Sequence, residues 1–220
     1  MRIGIIGAGN VGGALGIAWA KKGHEIVWGV RNANKPEIRA LVEASGGKGS
    51  AGSVTEAADS GEVVVLATPW DATEGIVKIL GDLGDKPLLD ATNPLLPDLS
   101  GLSTPPGTSA GELVAEWVSG ARVVKIFNTT GANNMADPTY PDGAPTMFYC
   151  GDDADAKAIA HALAAELGYD PIDAGPLKQS VLLEHLAQLW ISLAYQQGLS
   201  TNIAFRLMKR EVSPFLPVSL

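Results

Sequence analysis

The sequence predicts an α/β fold, a doubly wound parallel sheet with a small C-terminal helical extension. Three observations lead there. Through the first 135 residues, short apolar runs of strand length alternate with longer helix-patterned segments and short connections. One run, Val63-Val64-Val65-Leu66, is apolar at every position. A strand covered by helices on both faces reads that way. Beyond residue 135 the texture shifts to a Pro/Gly-containing loop, one strand–helix–strand unit and a long Leu-rich helical stretch.

Taken in order, residues 2–6 are a buried strand, and residues 11–22 a helix that stops at Gly23. Residues 25–30 form the second strand. Asn34 is a candidate cap and Pro36 suits the first turn of the next helix. Ser53-Val54-Thr55-Glu56 and Ser109-Ala110-Gly111-Glu112 are capping boxes, each opening a helix. Strands are expected at 62–67, 87–91 and 122–127, with a helix from about Ala72. Later come a strand at 146–150, an Ala-rich helix at 153–167, a strand at 169–174 and a helical pattern from 177 to about 209. Its stripe of Leu182, Leu183, Leu186, Leu189, Trp190 and Leu193 is broad enough to pack its own sheet alone or to meet a partner subunit as well, as in a homodimer. Residues 214–220 read as an irregular extension. The expected division is a dinucleotide-binding unit over 1–135 and an extension over 136–220 carrying acceptor-site and dimerisation roles.

Charge and composition narrow the partners. With 16 basic and 24 acidic side chains the net charge is −8, and there are no basic runs. Nucleic acid and anionic membrane surfaces are therefore excluded as main partners. An anionic ligand must be held by local devices. No apolar stretch is long and clean enough to span a membrane. The single Cys150, in Met147-Phe148-Tyr149-Cys150, forms no intrachain disulfide and reads as a buried small hydrophobe. That suits a reducing compartment, the cytoplasm. His24, His161 and His185 are scattered, so no metal site is expected. His185 is the one plausible proton donor, with a packing or surface role the better reading.

The first chemical signal is Gly7-Ala8-Gly9-Asn10-Val11-Gly12, between a strand and a helix. In that context GxGxxG is a Rossmann dinucleotide loop: Gly7 for the turn, Gly9 for close approach of a pyrophosphate, Gly12 for helix–strand packing. The second signal is the end of the second strand. NAD sites carry Asp or Glu there; this chain has Gly29-Val30-Arg31-Asn32 and Lys35. A carboxylate repels a 2′-phosphate and a guanidinium pairs with it, so NADP is expected, with Arg31 as the main clamp and Lys35 as the second.

Three further strand ends matter. Thr68-Pro69-Trp70 follows the strongest strand; Trp70 either walls the nicotinamide or caps the core. Asn93-Pro94 offers an amide for a carboxamide or a ribose hydroxyl. Asn128, Thr129 and Thr130 place small hydrogen-bonding groups together without an acid, suiting a polar acceptor near the nicotinamide. The run Asp173-Ala174-Gly175-Pro176-Leu177 leads into the last helix.

Together these residues resemble the NADPH-dependent coenzyme F420 reductases, or F420-dependent NADP oxidoreductases. The resemblance covers the chain to about Tyr195. It rests on the glycine loop, Arg31 and Lys35, Thr68-Pro69-Trp70, Cys150-Gly151-Asp152-Asp153, and Asp173-Ala174-Gly175-Pro176-Leu177 with Glu184. It implies hydride transfer between NADP(H) and a second cofactor, coenzyme F420 or a flavin (FMN or FAD), with Gly175 and Pro176 also contributing to the acceptor site. Where F420 enzymes carry a His-Thr-Ile-Pro-like stretch, this chain has Phe127-Asn128-Thr129-Thr130-Gly131. That stretch is similar to flavin- and metal-reductase relatives. A carbonyl or imine reductase and a non-catalytic NADPH sensor are the alternatives. No catalytic proton donor is assigned.

Overall fold

In a computed structural model that describes residues 1–210, eight strands form one sheet in the order β3-β2-β1-β4-β5-β6-β7-β8. The expected extension at 214–220 lies outside the described residues. The strands are β1 (Arg2–Ile6), β2 (Glu25–Gly29), β3 (Gly49–Gly52), β4 (Val63–Leu66), β5 (Pro87–Asp90), β6 (Arg122–Lys125), β7 (Thr146–Gly151) and β8 (Asp170–Asp173). The helices are α1 (Asn10–Lys21), α2 (Pro36–Ala44), α3 (Val54–Ser60), α4 (Trp70–Leu80), α5 (Ala110–Trp117), α6 (Ala132–Ala136), α7 (Ala154–Leu167) and α8 (Ser180–Ile191). The first six strands run parallel in the Rossmann order 3-2-1-4-5-6. β7 is antiparallel to β6, with Cys150 opposite Lys125, and β8 is parallel to β7.

Alternation along the strands builds a core on each face. Ile3, Ile5, Val63, Val65 and Leu89 point to one face, where Trp19, Trp28, Phe127 and Leu163 cover them. Ile6, Val64, Leu66 and Leu88 point to the other, against Val77, Val114 and Leu177. A fully buried Val, Leu or Ile contributes about 1.5–3 kcal/mol relative to exposure. A one-residue slip would exchange the faces of a whole strand, so the register is strongly specified. The indoles also satisfy their polar edges: Trp19 Nε1 donates to Leu163 O at 3.1 Å, and Trp28 Nε1 to Gly12 O at 3.0 Å. The first core takes in Met147, Tyr149 and Ala160, so both sheet and core run on past residue 135.

Three expectations are corrected. The cap residue of α2 is Lys35, not Asn34; Asn34 N–H instead bonds Asn32 Oδ1 at 2.9 Å in a local turn. β3 was not anticipated, because Gly49-Ser50-Ala51-Gly52 has no apolar alternation; it forms by backbone pairing to the open edge of β2. The helical pattern expected to about residue 209 ends early. α8 stops at Ile191 and a wider π-type turn carries the chain to Gln196. Gly198 and Ser200 then take positive φ of 74° and 66°, which turns the chain back. Residues 200–207 become a strap held by tertiary bonds: Asn134 Nδ2 and Trp190 Nε1 donate to Ile203 O, and Thr146 N–H to Phe205 O.

Candidate functional site

The C-terminal ends of β1, β2, β4, β5 and β6 share one rim, where ligands of such sheets bind. At its centre the three loop glycines have separable reasons to be glycine. Gly7 has φ of 104°, and a Cβ there would stand 2.5 Å from Ala67 O, so the loop abuts the end of β4. A Cβ on Gly12 would stand 2.1 Å from Gly7 O. Gly9 differs. Its φ is an ordinary −76°, and a Cβ would meet no protein atom within 4 Å. The protein's own packing does not require glycine there, whereas a closely approaching ligand does. Ala8 and Val11 are half-buried beside it and pack on the first core, and Asn10 opens α1. No side chain caps α1 and no acid sits in its first turn. Its leading N–H groups therefore face outward with positive partial charge. By contrast, Ser53 and Ser109 close α3 and α5 with complete capping boxes, and Asp153 caps α7.

At the end of β2, Arg31 is exposed and has no hydrogen-bond or ion-pair partner among the described residues. Lys35 lies 3.6 Å from Glu37 in an exposed pair, which leaves Arg31 the freer cation. Beyond β4, Thr68 Oγ1 bonds Thr73 Oγ1 at 2.8 Å, and Thr73 Oγ1 donates to Pro69 O, tying the loop to α4. Trp70 stacks on Trp117, ring centroids 5.4 Å apart, against the second core.

The β5 and β6 ends meet through a pair of amides. Asn93 Nδ2 donates to Asn128 O at 2.8 Å, and Asn128 Nδ2 donates to Asn93 Oδ1 and Leu183 O, both at 3.1 Å. Asn128 Oδ1 is buried without a partner among the described residues. The preceding Phe127 is buried at a positive φ of 63°, an uncommon conformation for a side chain of that size. Pro94 is buried; its carbonyl accepts from Ser103 N–H at 2.7 Å. Thr129 is buried, and Thr130 Oγ1 accepts from Asn134 Nδ2. A Cβ on Gly131 would stand 2.6 Å from the Trp190 ring, so α8 lies directly against this loop.

Beneath the amides sits an ionic cluster that sequence reasoning missed. Lys125, Asp90 and Glu184 are all 0% exposed. Lys125 Nζ donates to Thr92 O at 2.7 Å and Asp90 Oδ2 at 2.9 Å, and lies 3.2 Å from Glu184 Oε1. Asp90 Oδ1 also accepts from Thr92 N–H and Oγ1–H. Glu184 accepts from Ala110 and Gly111 N–H, at the start of α5. Burial opposes the ammonium charge, but Asp90 and then Glu184 more than offset it, so the Lys125 pKa is raised. The available signal was a charge inside otherwise apolar strands, Val123-Val124-Lys125-Ile126 and Leu88-Leu89-Asp90. Such a charge must find a partner.

Gly175 and Pro176 are not at this rim. Because β7 reverses direction, the C-terminal end of β8 falls at the opposite edge; Gly175 O accepts from Gly151 N–H there, and Leu177 N–H bonds Asp152 Oδ1. Neither contacts the glycine loop or the amide pair; the chain continues into α8, whose first residue, Ser180, lies 3.4 Å from Cys150 Sγ, level with Lys125. The histidines are elsewhere occupied or exposed: His24 with Glu166 at 2.7 Å, His161 with Tyr149 Oη at 3.3 Å, His185 exposed with Nδ1 against Val181 O. Among the described residues no group of three ligating side chains could hold a metal, and no helix is long and apolar enough to cross a membrane. A surface concavity of ≈ 870 Å³ is an open trough beside edge strand β3, and no glycine-loop residue lines it.

Comparison with known proteins bears on this geometry. Residues 2–94 match the family described as NADP oxidoreductase, coenzyme F420-dependent. The F420-dependent NADP reductase of Methanothermobacter marburgensis is 30% identical over 209 residues, spanning 88% of this chain and 92% of that protein. Metalloreductase STEAP3 of Rattus norvegicus is 28% identical, over 80% of this chain and 34% of that one. The crystal structure of a candidate F420-dependent NADP-reductase from Arthrobacter sp. FB24 superimposes with a TM-score of 0.81 at 28% identity, covering 95% of this chain and all of that one. On these matches, and with an uncapped glycine loop and no acid where the second strand ends, this chain belongs to the F420-dependent NADP oxidoreductase family.

Proposed function

We propose that this protein is an NADP-dependent oxidoreductase that passes a hydride between NADP(H) and a second redox ring, coenzyme F420 or a flavin, seated at the β5–β6 end of the rim. The observation that carries the reading is the empty volume at the Cβ position of Gly9, beside an uncapped helix start. Gly7, Ala8, Gly9, Asn10 and Val11 hold the pyrophosphate by backbone N–H groups. Arg31, with Lys35 behind it, takes the 2′-phosphate. Thr68 and Pro69 shape the middle of the cleft, and Asn93 with Pro94 forms its floor. Asn128, Thr129 and Thr130 line the acceptor side.

When bound, NADP supplies the hydride chemistry, and the protein's part is to orient two rings and exclude water. A ring acceptor needs little proton help from protein, which agrees with a rim that offers amides and hydroxyls and no free acid. A carbonyl or imine substrate needs a proton donor, and His185 is exposed with Nδ1 held by the Val181 carbonyl.

The test is turnover of NADPH by the purified protein with coenzyme F420, FMN, ferric chelates and a carbonyl panel in separate reactions. Oxidation with F420 or FMN is expected. Turnover with carbonyls alone would overturn the reading, and binding without turnover would favour a sensor.

The functional unit is a homodimer formed through α8. Leu182 and Leu189, seven residues apart on one face, are 61% and 50% exposed, and Tyr195 and Leu199 extend the patch. Sedimentation should show a dimer that Leu182→Glu/Leu189→Glu converts to monomer; a wild-type monomer would refute it. The free, buried Cys150 suits a cytoplasmic protein.

A further inference from the structure

Three charges buried together need a reason, because an apolar core is often as stable or more so. Lys125 carries three N–H donors, and Thr92 O, Asp90 Oδ2 and Glu184 Oε1 account for all three. Asp90 Oδ1 is filled by the Thr92 N–H and hydroxyl. Glu184 spends its remaining capacity on Ala110 and Gly111, where the start of α5 balances the one surplus negative charge. No donor is left to serve a substrate, so the cluster is unsuited to proton transfer. It is suited to fixing distances.

What it fixes follows from its neighbours. Thr92, whose carbonyl binds Lys125, immediately precedes Asn93. Glu184 immediately follows Leu183, whose carbonyl accepts from Asn128 Nδ2. Lys125 itself ends β6, three residues before Asn128. The ammonium therefore joins the same three elements that the amide pair bridges: the ends of β5 and β6, and α8. We infer that Lys125, with Asp90 and Glu184, is a positioning residue for the reaction: it sets the separation of β5, β6 and α8 and so holds the Asn93–Asn128 pair in register beneath the acceptor. The link to the reaction rests on the function proposed above; the link to amide geometry stands apart from it.

Both links can be tested in the full chain. Glu184→Gln keeps the shape and removes one charge; Lys125→Met breaks the cluster outright and is the variant more prone to misfold. Val77→Ala, in the second core but on α4, which supplies no residue to the cluster, serves as the control for lost stability. The side-chain amide NH₂ signals of Asn93 and Asn128, followed by NMR, should shift in Glu184→Gln and stay in place in Val77→Ala. Turnover in Glu184→Gln should fall about 10- to 100-fold, the scale of a misplacement near 1 Å. Nicotinamide fluorescence should show NADPH binding unchanged within about two-fold, since the glycine loop and Arg31 are elsewhere on the rim. Unmoved amide signals, or an equal turnover loss in Val77→Ala at matched melting temperature, would overturn the inference. Amides that shift in Glu184→Gln, with no turnover of any acceptor by the wild-type protein, would uphold the positioning and defeat the proposed function.

Discussion

The two ends of the rim are built by opposite means. The glycine-loop end is local: Gly7 to Gly12 lie within one strand–turn–helix unit, and its tools are backbone N–H groups and space. The β5–β6 end is assembled from residues 90, 93, 125, 128 and 184, and its tools are side chains held by buried charge. The first end therefore takes no added atom at Gly7 or Gly12 without a backbone clash. The second depends on three elements far apart in sequence, β5, β6 and α8, meeting at one point. Under the proposed function, chemistry common to many dinucleotide enzymes falls to the local end, and acceptor choice to the assembled one.

The sharpest way to break this contrast is within the glycine loop. Gly12→Ala drives a Cβ into Gly7 O, a backbone atom that cannot swing away. We expect a loss of about 3 kcal/mol or more, with NADPH binding abolished. Thermal unfolding and titration check both; a stable, binding variant would refute the packing argument. Arg31→Asp should weaken NADPH by roughly 100-fold, the scale of a lost charged hydrogen bond plus repulsion. NADH should change little in the same titration, and equal losses would remove the 2′-phosphate assignment. Gly9→Ala should cost about 10-fold in NADPH affinity. Its melting temperature should stay within about 2 °C, because no protein atom occupies that space. A matching loss of stability would mean the space serves the fold.

Outside the loop the expected effects are smaller. Trp70→Ala breaks the stack on Trp117 and should cost ~2 kcal/mol while sparing NADPH affinity. A selective affinity loss would place the indole at the nicotinamide instead. Burial pushes the Cys150 thiol up to about 11. At pH 8 about one thiol in a thousand is then ionised, so native protein should resist iodoacetamide that labels the unfolded chain rapidly. Because the folded state holds this proton more tightly, its contribution to stability is present below the ordinary thiol range. It is lost as pH rises through that range toward about 11. Equal labelling of native and unfolded protein would contradict the burial.

The legibility of the site follows the same divide. Strand and helix positions in the first 135 residues could be read because each buries a patterned face. The glycine loop could be read because its spacing is a turn geometry written in consecutive residues. β3 could not, since Gly49-Ser50-Ala51-Gly52 pairs by backbone alone. The end of α8 was overrun because Tyr195 and the leucines continue a helical stripe, while tertiary bonds from Asn134, Trp190 and Thr146 draw the chain away. The place of Gly175 and Pro176 could not be read for a topological reason: β7 runs antiparallel to β6, so β8, parallel to β7, ends away from the glycine loop.

By itself the sequence determined the parallel sheet, the dinucleotide loop and the absence of an acid at Arg31, because each depends on neighbours a few residues apart. Only the tertiary structure decided that Trp70 stacks on Trp117, which edge receives Gly175, and that Lys125, Asp90 and Glu184 share one buried ammonium. Those outcomes depend on strand direction and on charges meeting across dozens of residues. A buried charge announces that it must have a partner; it does not say which one.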